Sequence, residues 1–337
     1  MIHILYVGNK LASKTRNASG IDHLGPLLEA EGYKVYYASS KLNKLVRLLD
    51  MLWACWCYRR KVHLVLIDTY STLNFWYAVC VSQLCRLLKL KYVPILHGGN
   101  LPKRLETNPY LSRLLFGYAY KNIAPSVYLK KTFEVHGYTN LEHIPNVLSL
   151  AMYPFKARHF ERINMLWVRS FAKIYHPELA VRILKNIQER GGGVSLCMVG
   201  PDSGDGSLQA TQTLAETLGV NVNITGKLTK EAWGALSENY NVFINTSNFD
   251  NMPVSVMEAM ALGLPVVSTN IGGMPFLIDH KVNGILVPPN NEEAFADALL
   301  DICSRPQKAL RMAEKARMTV EALDWEQVKL QWYNVLK

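Results

Sequence analysis

Acidic residues are scarce in the first half of this chain. Up to Leu150 there are 8 Asp and Glu against 19 Lys and Arg, while the remainder carries 19 against 18. The net charge of +10 over 337 residues therefore belongs to the first half, and an anionic partner is expected on that side. Charged residues are only 19% of the whole, low for a purely soluble surface. Long apolar runs are missing too: no window holds the roughly 18–20 uninterrupted apolar residues of a membrane span. The nearest, Leu73 to Leu90, is interrupted by Asn74, Ser82, Gln83, Arg86 and Lys89 and reads as a buried helix. The opening MIHILYVGNK has no basic leader or cleavage site and reads directly as a strand rather than a signal peptide. Cys55, Cys57, Cys80, Cys85, Cys197 and Cys303 lack metal-ligand spacing and fit reduced thiols of a cytoplasmic protein. No nucleophile-elbow serine and no His/Cys metal cluster is found. After Val7 the chain reads GNKLASKTRNASG, without the Gly-rich dinucleotide fingerprint, which argues against a nicotinamide oxidoreductase. Neither an internal repeat nor a low-complexity segment occurs, and no nucleic-acid partner is expected.

What is present is alternation. Hydrophobic residues make up 49% of the chain, ample for two cores, and the length suits two domains of about 150 residues. Strands are expected at Ile2–Val7, Lys34–Ala38, Val62–Ile67, Tyr92–Leu96 and Asn122–Ala124. Helices are expected between them, at Gly20–Ala30, Leu42–Tyr58, Leu73–Lys89 and Val127–Val135. An irregular stretch from His143 to Glu161 precedes a second series of strands, at Asn164–Val168, Ser195–Val199, Asn221–Ile224, Val242–Asn245 and Pro265–Ser268. Strands alternating with helices imply an α/β fold with parallel sheets and ligand at the carboxyl ends of the strands. The expected division is 1–150, 151–323 and a last helix over 324–337.

The most informative stretch runs from Asn245 to Asn270, NTSNFDNMPVSVMEAMALGLPVVSTN. Asp250 and Glu258 are separated by Pro253, and Pro at a first helical position predicts a helix from Pro253. Its free amides, around Val254 and Ser255, suit phosphate or an anionic hydroxyl cluster. Glu258 lies one and a half turns inside, placed for a bidentate grip on a vicinal diol, and Asp250 faces the same mouth. This string resembles the donor-site signature of the retaining glycosyltransferases of family 4, which have the GT-B architecture of two Rossmann-like domains. Glu258, Ala259-Met260-Ala261 and Gly263-Leu264-Pro265-Val266-Val267 match that signature, whereas Asp250 stands where the family has a first glutamate. The likeness extends loosely into the first half, through Pro125-Ser126 and the linker-like His143-Ile-Pro-Asn-Val147.

The resemblance implies roles residue by residue. Arg169 and Lys173 occupy the place of the cations that neutralise the donor's diphosphate without a metal, although Lys173 comes one residue early and no Gly follows it. His97, before Gly98-Gly99, resembles the histidine that contacts the transferred sugar. With Asp250 and Glu258 these form the expected catalytic set. Met252, Pro253, Val254, Ser255 and Glu258 are the expected donor-binding residues. To them are added Gly20, closing the phosphate-cradle candidate Asn17-Ala-Ser-Gly20, and Gly200, where the family packs the nucleotide base. The implied activity is retaining transfer of a sugar from a nucleotide diphosphate sugar to a glycan or glycolipid hydroxyl, in cell-surface polysaccharide synthesis, with no cofactor or metal. Two alternatives stay open: a GT-B nucleotide-sugar epimerase, and a catalytically silent nucleotide-sugar-binding or membrane-docking protein.

Other residues carry readings of their own. The segment Lys41 to Lys61, KLNKLVRLLDMLWACWCYRRK, sets Trp53, Trp56 and Tyr58 among Lys41, Lys44, Arg47, Arg59, Arg60 and Lys61. That is the composition of a helix lying on an anionic membrane surface, and it equally fits a sheet-covering helix with basic ends. A peripheral position on the inner face of the membrane follows from the first reading. Asp68 is expected either to line the cleft or, as the slightly preferred reading, to cap the loop after its strand, and Asp202 and Asp205 to be solvated in a Gly-rich turn.

Overall fold

The computed structural model describes residues 1–11, 19–97 and 100–337. The chain forms two compact units, Met1–Val147 with Trp325–Lys337, and Leu148–Asp324.

The first unit is built on β1 (His3–Val7), β2 (Lys34–Ala38), β3 (Leu64–Thr69), β4 (Tyr92–Leu96), β5 (Asn122–Ala124) and β6 (Leu141–His143). They form one parallel sheet in the order β2-β1-β3-β4-β5-β6. Near-continuous apolar strands such as β3 and β4 are buried along their whole length, as a sheet covered on both faces requires. On one face pack Met51, Cys55, Phe75 and Phe116. On the other, Ile21 and Leu28 are joined by Trp325, Val328, Trp332 and Leu336 of the helix Trp325–Leu336. Glu31 fixes that helix by accepting from Trp325 Nε1 at 3.0 Å, Lys329 Nζ at 3.2 Å and the Tyr333 hydroxyl.

The second unit repeats the plan with β7 (Ile163–Val168), β8 (Val194–Val199), β9 (Asn223–Gly226), β10 (Val242–Asn245), β11 (Val266–Thr269) and β12 (Ile285–Val287). Its parallel order is β12-β11-β10-β7-β8-β9. The chain thus runs outward from β7 on one side and restarts at β10 on the other. A crevice forms at the carboxyl ends of strands where the order reverses in this way. In the first unit the reversal lies between β1 and β3.

Several elements differ from the sequence expectation. The helix expected over Leu42–Tyr58 begins at Lys44, because the Asn43 side chain caps the Leu45 and Val46 amides. The helix expected at Leu73–Lys89 covers Asn74–Leu87, and Trp76 on it is exposed. The stretch after Asn100 forms two short helices, Leu101–Thr107 and Pro109–Phe116, each with Pro in its first turn. Arg47 is no free cation: it is 5% exposed and donates to the Lys41 and Leu42 carbonyls and to Asn9 Oδ1.

Candidate functional site

The carboxyl end of β7 leads straight into Arg169, whose amide donates to the Val199 carbonyl at 3.0 Å. Its guanidinium lies over the Tyr175 ring, 4.5 Å from the centroid, and Nη2 donates to Asp250 Oδ2. Nε is buried without a partner. Burial lowers the guanidinium pKa, with Tyr175 and Glu258 acting in the opposite direction. Gly200, at the end of β8, is fixed by the same turn: a Cβ there would lie 1.6 Å from the Arg169 carbonyl oxygen.

The loop after β10 delivers Asp250, and buried polar contacts hold it. Thr246 Oγ1 accepts from Trp167 Nε1 at 2.9 Å and donates to the Tyr175 carbonyl at 2.9 Å. Ser247 Oγ donates to Asn245 Oδ1 at 2.8 Å, and the Ser247 carbonyl accepts from Thr269 Oγ1 at 2.7 Å. Against this loop presses the turn after β11. A Cβ on Gly272 would stand 2.1 Å from the Asp250 carbonyl oxygen, and one on Gly273 would stand 1.8 Å from that of Asn251. Gly272 also has φ +50°, so the Gly-Gly pair answers both a close approach and a left-handed backbone.

The helix runs over Val254–Ala261. Pro253 is its N-cap, extended at φ −70° and ψ 122°, so the start expected at Pro253 moves on by one residue. The Pro253 carbonyl takes the Val256 and Met257 amides, and the amides of Val254 and Ser255, at the first two helical positions, have no acceptor within the helix. Ser255 Oγ is buried and has no partner among the described residues. Met252 is half-buried beside it.

Glu258 is 4% exposed, and its Oε1 accepts from the Tyr153 hydroxyl at 2.5 Å and pairs with Lys230 Nζ at 3.1 Å. Burial and the neighbouring carboxylate push the Tyr153 phenol well up, so it stays a donor. Arg317 holds Tyr153 in place by donating to its carbonyl at 2.7 Å and to that of Ala261 at 2.9 Å. The buried carboxylate is thus held by two residues that the sequence reading did not single out.

Lys173 is placed differently from Arg169. It opens a short 3-10 turn, Lys173–Tyr175, and is exposed. Among the described residues its side chain makes no ion pair, while its amide donates to Asp205 Oδ2 at 2.9 Å and its carbonyl accepts the His176 amide at 3.2 Å. Asp205 is therefore more than a solvated turn acid. It also takes the Ser207 amide at 3.1 Å, and these bonds hold its carboxyl well below the usual range. Asp202 Oδ1 accepts from the nearby Gly204 amide at 2.9 Å.

In the first unit the structure gathers His97, Gly20 and Asp68. Asp68 is 5% exposed and does not cap its own loop. Its Oδ1 accepts from the Tyr6 hydroxyl at 2.9 Å and meets His97 Nε2 at 2.8 Å, and its Oδ2 accepts the Ile21 amide at 3.0 Å. A carboxylate only accepts, so Nε2 carries the proton of the histidine bond and Nδ1 is left for another partner. Tyr70 stacks on the His97 ring at 5.2 Å. Burial and the Asp68 charge push the Tyr6 and Tyr70 phenols well up. A Cβ on Gly20 would lie 2.4 Å from His97 Nε2, so the glycine serves the approach of helix to imidazole. Asn17, Ala18, Gly98 and Gly99 lie outside the described residues.

No cluster of His, Cys, Asp or Glu among the described residues is arranged to hold a metal ion. Nor is any helix among them long and apolar enough to cross a membrane.

Residues 155–319 match the family described as "Glycosyl transferases group 1". Among curated relatives, the amylovoran biosynthesis glycosyltransferase AmsK of Erwinia amylovora is 29% identical over 150 residues, 42% of this chain and 36% of that protein. The chain spans about a third of the length of the curated relatives it matches. Among solved structures, the sucrose-phosphate synthase of Thermosynechococcus elongatus superposes with a TM-score of 0.83 at 20% identity, covering 99% of this chain and 98% of that one. HepE of Anabaena, in complex with UDP-glucose, superposes with a TM-score of 0.78 at 17% identity, covering 100% and 99%. The two α/β units are those of the GT-B fold.

Proposed function

We propose that this protein is a glycosyltransferase whose second unit holds a nucleotide diphosphate sugar and which moves the sugar to a hydroxyl of a glycan or glycolipid. The observation that carries this reading is what the strands on either side of the sheet's reversal present at their carboxyl ends: Arg169 after β7, paired with Asp250 after β10, and then the helix Val254–Ala261 with its buried Glu258. A cation with free donor capacity and a helix start suit a diphosphate, and a buried carboxylate one turn further suits the ribose hydroxyls. The family match over 155–319 covers all of these residues. The complex of the Anabaena neighbour with UDP-glucose supports a nucleotide sugar as donor. AmsK's role in amylovoran biosynthesis favours a polysaccharide product.

The transfer is assigned as retaining and metal-independent. The bond from the anomeric carbon to phosphate breaks, one to the acceptor hydroxyl forms on the same face, and the acceptor's proton goes to the departing phosphate oxygen. Arg169, the helix amides and Lys173, from its exposed turn, stabilise the charge that phosphate gains. His97, held by Asp68 and stacked by Tyr70, is assigned as a catalytic group of the basic first unit, to which the acceptor is also assigned. Incubating the purified chain with nucleotide sugars and glycan or lipid-linked acceptors in excess chelator should give a product with the donor's anomeric configuration. Donor consumed without an acceptor product would point to the epimerase, and no consumption at all to the silent binder. Activity that returns only with Mg²⁺ or Mn²⁺ would remove the metal-independent mechanism.

An anionic membrane surface is proposed as the acceptor's setting. On the helix Lys44–Tyr58, Met51, Ala54 and Cys55 face the core, while Leu45, Leu49, Trp53 and Trp56 line the opposite side and are exposed, Leu45 by 74% and Trp53 by 66%. The helix therefore has a second apolar face that packing on the sheet does not use. Lys41, Lys44, Arg59, Arg60 and Lys61 flank it, and the Arg59 guanidinium lies 4.0 Å from the Trp56 ring centroid. Such a face lies in the headgroup region, with each nearby cation worth roughly 1 kcal/mol on an anionic surface. The matching test is co-sedimentation with vesicles, taken up in the Discussion.

A further inference from the structure

Both carboxylate oxygens of Asp250 are already engaged by protein donors. Oδ2 accepts from Arg169 Nη2, with Ser247 Oγ 3.3 Å away, and Oδ1 accepts from the Asn251 amide at 3.1 Å. The Asp250 carbonyl takes the Gly273 amide at 3.0 Å, and Gly272 is pressed against that same carbonyl. The loop carrying Asp250 is thus locked at its backbone and committed at its side chain. Arg169 differs: Nε is buried without a partner, and its planar face rests on Tyr175.

We propose that Asp250 is the resident counter-ion of Arg169, a positioning residue that aims the guanidinium and competes with the donor's diphosphate for it, rather than a ligand of the sugar. This rests on the reading of the second unit as a nucleotide-sugar site. A guanidinium largely removed from water needs a partner when the site is empty, and Asp250 supplies it. When a diphosphate arrives, its oxygens take Arg169 by the forked geometry that guanidinium and phosphate share. The Asp250 charge then stands close to the new anion and opposes it. After transfer the leaving group is a nucleoside diphosphate, more highly charged than the donor. Re-formation of the Arg169–Asp250 pair favours its departure, and product release sets the turnover of many enzymes. Asp250 on this account weakens the binding of every diphosphate while keeping Arg169 aimed.

The test is calorimetric titration of the full chain and of Asp250→Asn with UDP, ADP, GDP and inorganic pyrophosphate, none of which carries a sugar. The account expects Asp250→Asn to bind pyrophosphate, and whichever nucleoside diphosphate the wild type binds, about three- to tenfold more tightly, with slower turnover. A merely structural role for Asp250 would not tighten binding. Unchanged or weaker affinity for these sugar-free ligands would overturn the counter-ion, and, in a parallel titration, a loss of affinity for the nucleotide sugar alone would restore a sugar contact. If Asp250→Asn does not fold, Asp250→Ser carries the same comparison. A wild type that binds none of the nucleoside diphosphates would bring down the donor-site reading, and the counter-ion with it. A wild type that binds one, beside a variant that binds it no better, would bring down the counter-ion alone.

Discussion

Glu258 concentrates the residue-scale account, because a buried carboxylate persists only where its charge is matched. Lys230, at the start of the separate helix Lys230–Leu236, supplies the opposite charge, and Tyr153, 105 residues away, adds a hydrogen bond. Replacing Glu258 with Ala should cost on the order of 2–3 kcal/mol of donor binding through a lost charge-assisted bond and unpaired donors. Tyr153→Phe should leave the carboxylate in place with one donor fewer, and weaken binding by a smaller amount. Titration calorimetry with nucleotide sugar separates the two, and equal affinities in all three proteins would remove Glu258 from the site. Much of this centre was legible in the sequence: the Glu258 helix and Arg169 both stand at strand ends where a doubly wound sheet presents ligand groups. Tyr153, Lys230 and Tyr175 were not, since each acts through a tertiary contact that no local spacing encodes. Gly272-Gly273 carried the same kind of signal as Gly98-Gly99, two glycines after a buried strand, and could have been read.

At the scale of elements, the turn after β11 and the helix Lys44–Tyr58 make the sharpest claims. Alanine at Gly272 or Gly273 must push the Asp250–Asn251 backbone aside, so each variant should lower both thermal stability and transfer. Unaltered activity in both would mean that the loop's position is unimportant. On the helix, the cations divide by what they touch. Arg47→Ala removes a guanidinium that satisfies two carbonyls and Asn9, and should destabilise by about 2–3 kcal/mol in denaturant unfolding. Reversing Arg59, Arg60 and Lys61 to Glu should change stability little yet abolish co-sedimentation with anionic vesicles at low salt. Absence of vesicle binding by the wild type, or binding indifferent to that reversal, would leave the exposed face without its lipid role. Regular elements were the most readable, and Lys34–Ala38, Tyr92–Leu96 and Gly20–Ala30 stand at the expected residues. Leu141–His143 and Ile285–Val287 were missed, three residues being too few to show a period, although the equally short Asn122–Ala124 was found. The helices after Asn100 were missed because Pro102 and Pro109 cut that stretch into pieces too short for an amphipathic stripe.

At the scale of the whole molecule, charge and chemistry divide between the units. The first is basic, exposes an apolar helix face and gathers His97, Asp68 and Tyr70. The second carries the arginine, the amides of the helix start and the buried carboxylate. The GT-B fold was legible because strand and helix alternate twice over, and because one string, Asn245 to Asn270, set the second series in register with a known signature. The uneven charge was visible at once, whereas which cations are free for a partner depended on burial, as Arg47 illustrates. The central claim is that the second unit is a nucleotide-sugar donor site, and ligand stabilisation of the full chain tests it most directly. In a thermal-shift titration with UDP, ADP, GDP and their sugars, saturable stabilisation by one base series is expected, because a ligand bound only to the folded state stabilises it by mass action. That shift should be lost in Glu258→Ala and Arg169→Ala. No stabilisation by any nucleoside diphosphate or its sugars, or a shift that survives both substitutions, would contradict the account.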